Sequence, residues 1–293
     1  MGLSYTILGG DKRSLELGKL LMNDGNGICF YGFDKLDHDK YKQLDLKEAI
    51  EYADVIVGPL PFTEDGININ APFSSEVIQI DLVFDLAPKD SLIIGGKLGL
   101  ENENKLKKND HRFSDYFQRE EMQVLNAIPT AEGAIQVAME EIPITFHASN
   151  ALVLGYGRIG KVLSKMLYGI GANVYVEARN HTDLAWIKTH GYTPIHQKDL
   201  ESYLPRMNVV FNTIPQIILD RDLLKSIGKD CIIVDLASKP GGVDLEAAKK
   251  LGVKVICALG LPGKVAPLTA AMVIKDTIYN IIEELSIRWQ LKD

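Results

Sequence analysis

The stretch ALVLGYGRIGKVLSKMLYGIGANVYVEAR, Ala151 to Arg179, decides how this chain is read. An apolar run ends at Leu154, and glycines follow at Gly155, Gly157 and Gly160. A helical pattern continues to Ile170, and Gly171 opens a second apolar run. The order predicts strand, tight turn, helix, strand, the local frame of a dinucleotide site. Gly155 is expected to take the turn. Gly157 leaves no side chain between backbone and pyrophosphate, and Gly160 lets the helix lie close to the sheet with its free N–H groups toward the phosphates. Arg158 and Ile159, between the last two glycines, join the same expected contact set.

Around this stretch lie 293 residues, 46 % hydrophobic and 24 % charged, which favours two domains with ordinary soluble cores. The formal charge of -7 argues against a nucleic-acid-binding surface. Cys29, Cys231 and Cys257 are too few and too scattered for a disulfide framework, and read as reduced thiols of a cytosolic protein. The opening MGLSYTILGG has no basic segment before an apolar stretch, so no signal peptide is expected. Gly2 and Thr6 fit a loose myristoylation pattern, which a buried first strand over residues 4–8 overrides. No apolar run reaches the length of a membrane span. The histidines form no HxH, HExxH or Cys/His cluster, so no metal site is expected.

The N-terminal half alternates strands (5–8, 28–31, 54–57, 91–94) with helices (15–22, 46–52), predicting a parallel sheet covered by helices. The turn GGDKR after the first strand lacks GxGxxG spacing. Asp11 and Arg13 read there as a substrate-side loop, with Asp11 alternatively a plain helix cap. Gly58, Pro59 and Pro61 make a stiff loop at the carboxyl edge of the sheet, where open α/β sheets bind ligands. Residues 101–110 read as a polar surface passage, 111–118 as a surface helix, and 121–126 as a last strand before a break at Pro129. Thr130 is then expected to cap a helix, with Thr130 and Glu132 either at the mouth of a cleft or simply a cap and a solvated first-turn charge.

Beyond the glycine stretch, a helix is expected over 183–189 and strands over 208–211, 231–234 and 253–257. The first two of these strands run into Asn212, Thr213 and Pro215, and into Asp235, Ser238 and Lys239. Such loops face the same edge as the glycine turn in a doubly wound sheet. Lys264 lies in the loop before a long amphipathic helix over 267–285, expected to return to the first domain. The predicted architecture is two doubly wound, Rossmann-like parallel-sheet α/β domains separated by a cleft. They cover 1–140 and 141–265, with a C-terminal helix over 266–293.

At the end of the second strand of the fingerprint, the position of an NAD-type carboxylate falls on Ala178, and alternation sends Glu177 to the other face. Arg179 and Asn180 follow and suit a 2′-phosphate. NADP is therefore favoured, while a one-residue shift onto Glu177 keeps NAD open. There is no GxSxG and no Walker A lysine loop. Asp11, Arg13, Thr130, Glu132, Asp235, Ser238, Lys239 and Lys264 remain for acid–base or substrate-orienting work, with Pro61 in the neighbouring loop; cations and hydroxyls among them suit a dicarboxylate.

Taken together, ILGGDKR (7–13), GPLPF (58–62), PTAEGAI (129–135), LGYGRIGK (154–161), EARN (177–180), FNTIP (211–215), VDLASKPGGVD (234–244) and ALGLPGKVAPLTA (258–270) closely resemble the A subunits of bacterial dipicolinate synthase. The last loop is also similar to that of methylenetetrahydrofolate dehydrogenases, and the domain arrangement to D-2-hydroxyacid dehydrogenases and adenosylhomocysteinase. The resemblance implies a protein of the mother-cell cytoplasm in a sporulating bacterium. It implies oxidation of the cyclic product of dihydrodipicolinate synthase, on a branch of the lysine pathway, to dipicolinate with hydride transfer to NADP+. A flavoprotein-like B subunit is the implied partner, and self-association is expected. Glu132 and Asp235 are then the first candidates for the base, and Lys239 for a carboxylate anchor. The rival readings are an NADP-dependent dehydrogenase of another small acid or a folate, and a non-catalytic nucleotide-sensing subunit.

Overall fold

The computed structural model describes residues 2–36, 44–238 and 240–290, the last four as backbone alone. From the N-terminus come β1 (Ser4–Leu8), α1 (Lys12–Asn23), β2 (Gly27–Tyr31), α2 (Leu46–Glu51), β3 (Val55–Val57), α3 (Ile80–Leu86), β4 (Leu92–Gly95), α4 (Leu100–Lys108), β5 (Arg112–Asp115) and α5 (Glu120–Glu141). Then follow β6 (Asn150–Leu154), α6 (Arg158–Gly169), β7 (Asn173–Ala178), α7 (His181–Thr189), β8 (Thr193–His196), α8 (Leu200–Tyr203), β9 (Val209–Asn212), α9 (Arg221–Lys225), β10 (Ile232–Asp235), α10 (Leu245–Leu251), β11 (Lys254–Cys257), α11 (Leu261–Val265) and α12 (Pro267–Gln290). The chain divides into two units, Met1–Leu125 with Ala266–Asp293, and Asn126–Val265.

In the first unit the strands run parallel in the order β2-β1-β3-β4-β5. Apart from the edge strand β5, they are largely apolar on both faces, as a parallel sheet buried on both sides requires. Tyr5, Ile7, Val55, Val57, Leu92 and Ile94 pack with α1 and with Ile274, Ile278 and Ile281 of α12. Leu8, Ile56 and Ile93 pack on the other side with Ile50, Val83, Phe84 and Leu106. Each such side chain contributes about 1.5–3 kcal/mol when fully buried. The C-terminal helix thus belongs to the first unit, as expected, where Arg119 also grips Glu284 with two nitrogens at 2.8 and 2.6 Å. The expected boundary after residue 140 moves to residue 125, because Ala131, Ala134 and Ala138 of α5 are buried in the core of the second unit.

Three local expectations are corrected. The polar passage at 101–110 lies largely in helix α4: only Asn102 and Leu106, one turn apart, are buried, while glutamates at its start and lysines at its end suit the helix dipole. Residues 112–115 form strand β5 on the edge of the sheet rather than a helix. Residues 121–126 are helical, and α5 continues through Pro129. Burial holds the helix on both sides of Pro129, Met122 in one core and Ala131 in the other.

The second unit is a six-stranded parallel sheet in the order β11-β10-β9-β6-β7-β8. Strand order reverses between β6 and β9, and the crevice beyond the carboxyl ends at such a point is where open sheets bind ligands. One face buries Val153, Val174, Val176, Phe211 and Val234 under α5, α6 and α7. The other buries Leu152, Leu154, Ile195, Val210 and Ile233 under α8, α9 and α10.

Candidate functional site

The glycine turn stands at the β6/β9 reversal. Gly155 has φ +91, a conformation that side chains disfavour, and a Cβ on it would come within 2.8 Å of Thr213 Oγ1. A Cβ on Gly160 would come within 2.1 Å of the Gly155 carbonyl oxygen, so this close helix-to-turn approach admits only hydrogen. A Cβ on Gly157 would meet nothing within 4 Å. Gly157 N-caps α6 with no side-chain cap hydrogen bond, so no capping side chain competes for the N–H groups of the first turn. Arg158 is exposed in the first turn and Ile159 packs partly on the core beneath.

Beside the turn, the register aligns Cys257, Asp235, Asn212, Leu154, Glu177 and Ile195 in one row across the carboxyl edge. Asn212 is wholly buried; its Nδ2 donates to Asp235 Oδ1 at 2.8 Å and to the Ile214 carbonyl at 3.0 Å. Asp235 Oδ1 also accepts from the Ala237 N–H, and Oδ2 from the Gly242 N–H. A Cβ on Gly242 would lie 2.0 Å from Asn212 Nδ2, which accounts for that glycine in the KPGG loop. Thr213 donates through Oγ1 to the Leu154 carbonyl at 2.8 Å, lacing β9 to the glycine turn.

Ala178 lies in the α6-side core. Glu177 shares its row with Leu154 and Ile195, both in the opposite core, and is 1 % exposed. Neither of its carboxyl oxygens has a hydrogen-bond partner. Burial pushes this carboxyl above the ordinary glutamate range, and the nearby Gly155 N–H and then Arg179 draw it partly back. Arg179 itself is exposed at the strand end. Asn180 caps α7, its Oδ1 accepting from the Asp183 N–H at 2.7 Å, so its side chain is already engaged.

The remaining candidates are dispersed. Ser238, Pro215 and Lys264 are exposed, Ser238 and Pro215 just beyond the ends of β10 and β9 and Lys264 on α11. Lys239 lies outside the described residues. Thr130 is no cap: it sits within α5, where its Oγ1 donates to the Asn126 carbonyl at 2.7 Å. Glu132 is exposed and lines a groove with Ile135, Met139, Met166 and Ile170. Met166 and Ile170 lie at the far end of α6, about 12 to 18 Å along the helix from Arg158, so Glu132 is not gathered at the glycine turn. In the first unit, Asp11 caps α1 and holds Arg13, accepting from Nε and Nη2, while Nη2 also donates to the Leu60 carbonyl. Pro61 follows a cis peptide bond in that loop. The β1/β3 position of these loops is the strand-order reversal of the first unit.

Two groups escaped the sequence reading. Tyr156, between Gly155 and Gly157, is buried, and its hydroxyl hydrogen-bonds His190 Nδ1 at 2.8 Å. An aromatic residue inside a phosphate-binding turn was the one available signal, since His190 is 34 positions away. The space above Gly157 and the absence of a side-chain cap on α6 together fit a dinucleotide at this edge. Among the described residues no cluster of three or more His, Cys, Asp or Glu is placed to hold a metal, and no helix is long and apolar enough to cross a membrane.

Residues 4–117 match the family model for the N-terminal domain of the dipicolinate synthase A subunit, and residues 124–292 match that of the alanine dehydrogenase/PNT C-terminal domain. The dipicolinate synthase A subunit of Bacillus subtilis (strain 168) is 34 % identical over 289 residues, 97 % of each chain. The chain belongs to the family of dipicolinate synthase A subunits. The crystal structure of the dipicolinate synthase A subunit from Bacillus halodurans is similar with a TM-score of 0.86 at 31 % identity, over 96 % of this chain and 98 % of that one. The corresponding crystal structure from Bacillus subtilis gives 0.86 at 33 %, over 98 % of both. Membership of this family, with its alanine dehydrogenase-like second domain, indicates an oxidoreductase with a nicotinamide dinucleotide cofactor.

Proposed function

We propose that this chain oxidises a dihydrodipicolinate-type ring to dipicolinate, with NADP+ as hydride acceptor, as the A component of a two-component synthase. The observation that carries the reading is the glycine turn at the β6/β9 reversal, with its open space above Gly157, in a chain of this family. When bound, NADP+ supplies the hydride acceptor. The N–H groups at the start of α6 hold its pyrophosphate, and Arg179 takes the 2′-phosphate.

In this reaction one ring C–H bond gives up its electron pair as hydride and one ring proton passes to water, leaving the aromatic dicarboxylate. A hydroxylated ring first loses one water. Arg13 in the first unit is buried against Asp11 and the Leu60 carbonyl and is not assigned to the substrate. Ser238 and Lys264 are the exposed substrate-orienting groups proposed in the second. Asp235 is assigned a scaffolding role in place of a base, because both of its oxygens are engaged, by Asn212 and Ala237 on one and Gly242 on the other, and it is buried.

The test mixes the product of dihydrodipicolinate synthase and NADP+ with this chain, with its flavoprotein-like B partner, and with both. Dipicolinate and reduced nicotinamide are expected only where this chain is present. Formation of dipicolinate at the same rate without it would overturn the reading.

A further inference from the structure

His190 ends α7 in a stack of rings. Its imidazole lies 5.8 Å from the Trp186 ring at 24° and 6.0 Å from the Tyr192 ring at 26°, centroid to centroid. Tyr168 meets Tyr192 edge-on at 5.5 Å. From this stack His190 Nδ1 reaches 2.8 Å to the hydroxyl of Tyr156. Burial raises the Tyr156 hydroxyl above its ordinary range, keeping it protonated. Lys161, on the first turns of α6, places its ammonium 5.5 Å from the Tyr156 ring.

Tyr156 lies between two glycines, and glycine loses more conformational freedom than any other residue when it is ordered. Left to itself, such a turn would be ordered at the expense of the ligand that needs it. The hydrogen bond to His190 orders it beforehand. At the other end of α7, about 14 Å away by helical rise, Asn180 caps the helix directly after Arg179. One helix is therefore fastened at its start to the Arg179 segment and at its end to the glycine turn.

We propose that His190 is a positioning residue for the dinucleotide: acting through Tyr156, it fixes the glycine turn, and α7 holds that turn in register with the Arg179 segment. The proposal rests on the dinucleotide reading of this edge and adds a residue remote from the ligand. A histidine kept only for helix stability would change melting temperature without singling out the cofactor.

The experiment measures NADP affinity by calorimetry on the full chain for wild type, Tyr156→Phe, His190→Ala, His190→Asn and the Tyr156→Phe/His190→Ala pair, with thermal melts alongside. Loss of one such hydrogen bond is expected to weaken NADP about five- to tenfold. The double variant is expected to be no weaker than the single ones, and His190→Asn, whose Oδ1 can replace Nδ1, to recover most of the affinity. In turnover, KM for NADP should rise while kcat at saturating NADP holds. Unchanged affinity in both single variants, or fully additive losses, overturns the role of His190 while leaving the dinucleotide reading intact. Should the wild-type chain bind neither NADP nor NAD, both fail together. If His190→Ala does not fold, Tyr156→Phe, which removes one oxygen, decides alone.

Discussion

The buried amide of Asn212 donates to the carboxylate of Asp235 at 2.8 Å, and that carboxylate also closes the loop through the Ala237 and Gly242 N–H groups. Asp235→Ala strands three buried donors, so it is expected to cost about 2–4 kcal/mol of stability. Urea denaturation reads the loss. A variant of wild-type stability that had lost only turnover would instead mark Asp235 as the base.

The two glycines of the turn should fail differently. Gly157→Ala places its Cβ in open space, so melting should be unchanged while NADP affinity falls by at least about tenfold, because the methyl group occupies the ligand's approach. Gly160→Ala pushes a Cβ against the Gly155 carbonyl oxygen and should destabilise the unit by about 1–3 kcal/mol. Calorimetric melts with and without NADP separate the two effects.

Glu177 makes stability depend on pH. Its carboxyl is raised by burial, so the native state keeps a proton that the unfolded chain releases. Stability contributed by the protonated form is present in acid and declines as pH rises above the ordinary glutamate value toward the raised one. Glu177→Gln should remove that decline, giving a variant whose advantage over wild type grows as pH rises from the ordinary glutamate range to neutrality. Parallel stability curves for the two proteins would contradict this.

Cofactor choice is assigned to Arg179. Arg179→Ala should weaken NADP about 10- to 100-fold while leaving NAD nearly unchanged, as expected when a charged hydrogen bond to phosphate is lost. An unchanged NADP-to-NAD ratio would remove the 2′-phosphate from this residue.

The second unit was the more legible in the sequence. The spacing of Gly155, Gly157 and Gly160 between two apolar runs fixes strand, turn and helix by local chemistry, and the sheet order follows from it. The first unit was read correctly where strands were continuous apolar runs, and misread where one buried position carried an element. Leu106 alone among lysines gives no helical period, and Pro129 reads locally as a break although burial on both sides carries α5 through it. The site was partly hidden for another reason. Asp235 and Asn212 are polar residues at strand ends, which sequence assigns to chemistry; only the register reveals that they bond each other. Tyr156 and His190 meet through tertiary structure, beyond any local spacing.

The proposed reaction is a two-electron oxidation coupled to NADP+. It is tested most directly by following reduced nicotinamide and dipicolinate together when the purified chain, with its flavoprotein-like B partner present, receives freshly made dihydrodipicolinate synthase product and NADP+. One reduced nicotinamide is predicted for each dipicolinate, with both slowed by Gly157→Ala at sub-saturating NADP+. Dipicolinate accumulating with no reduced nicotinamide would contradict the claim.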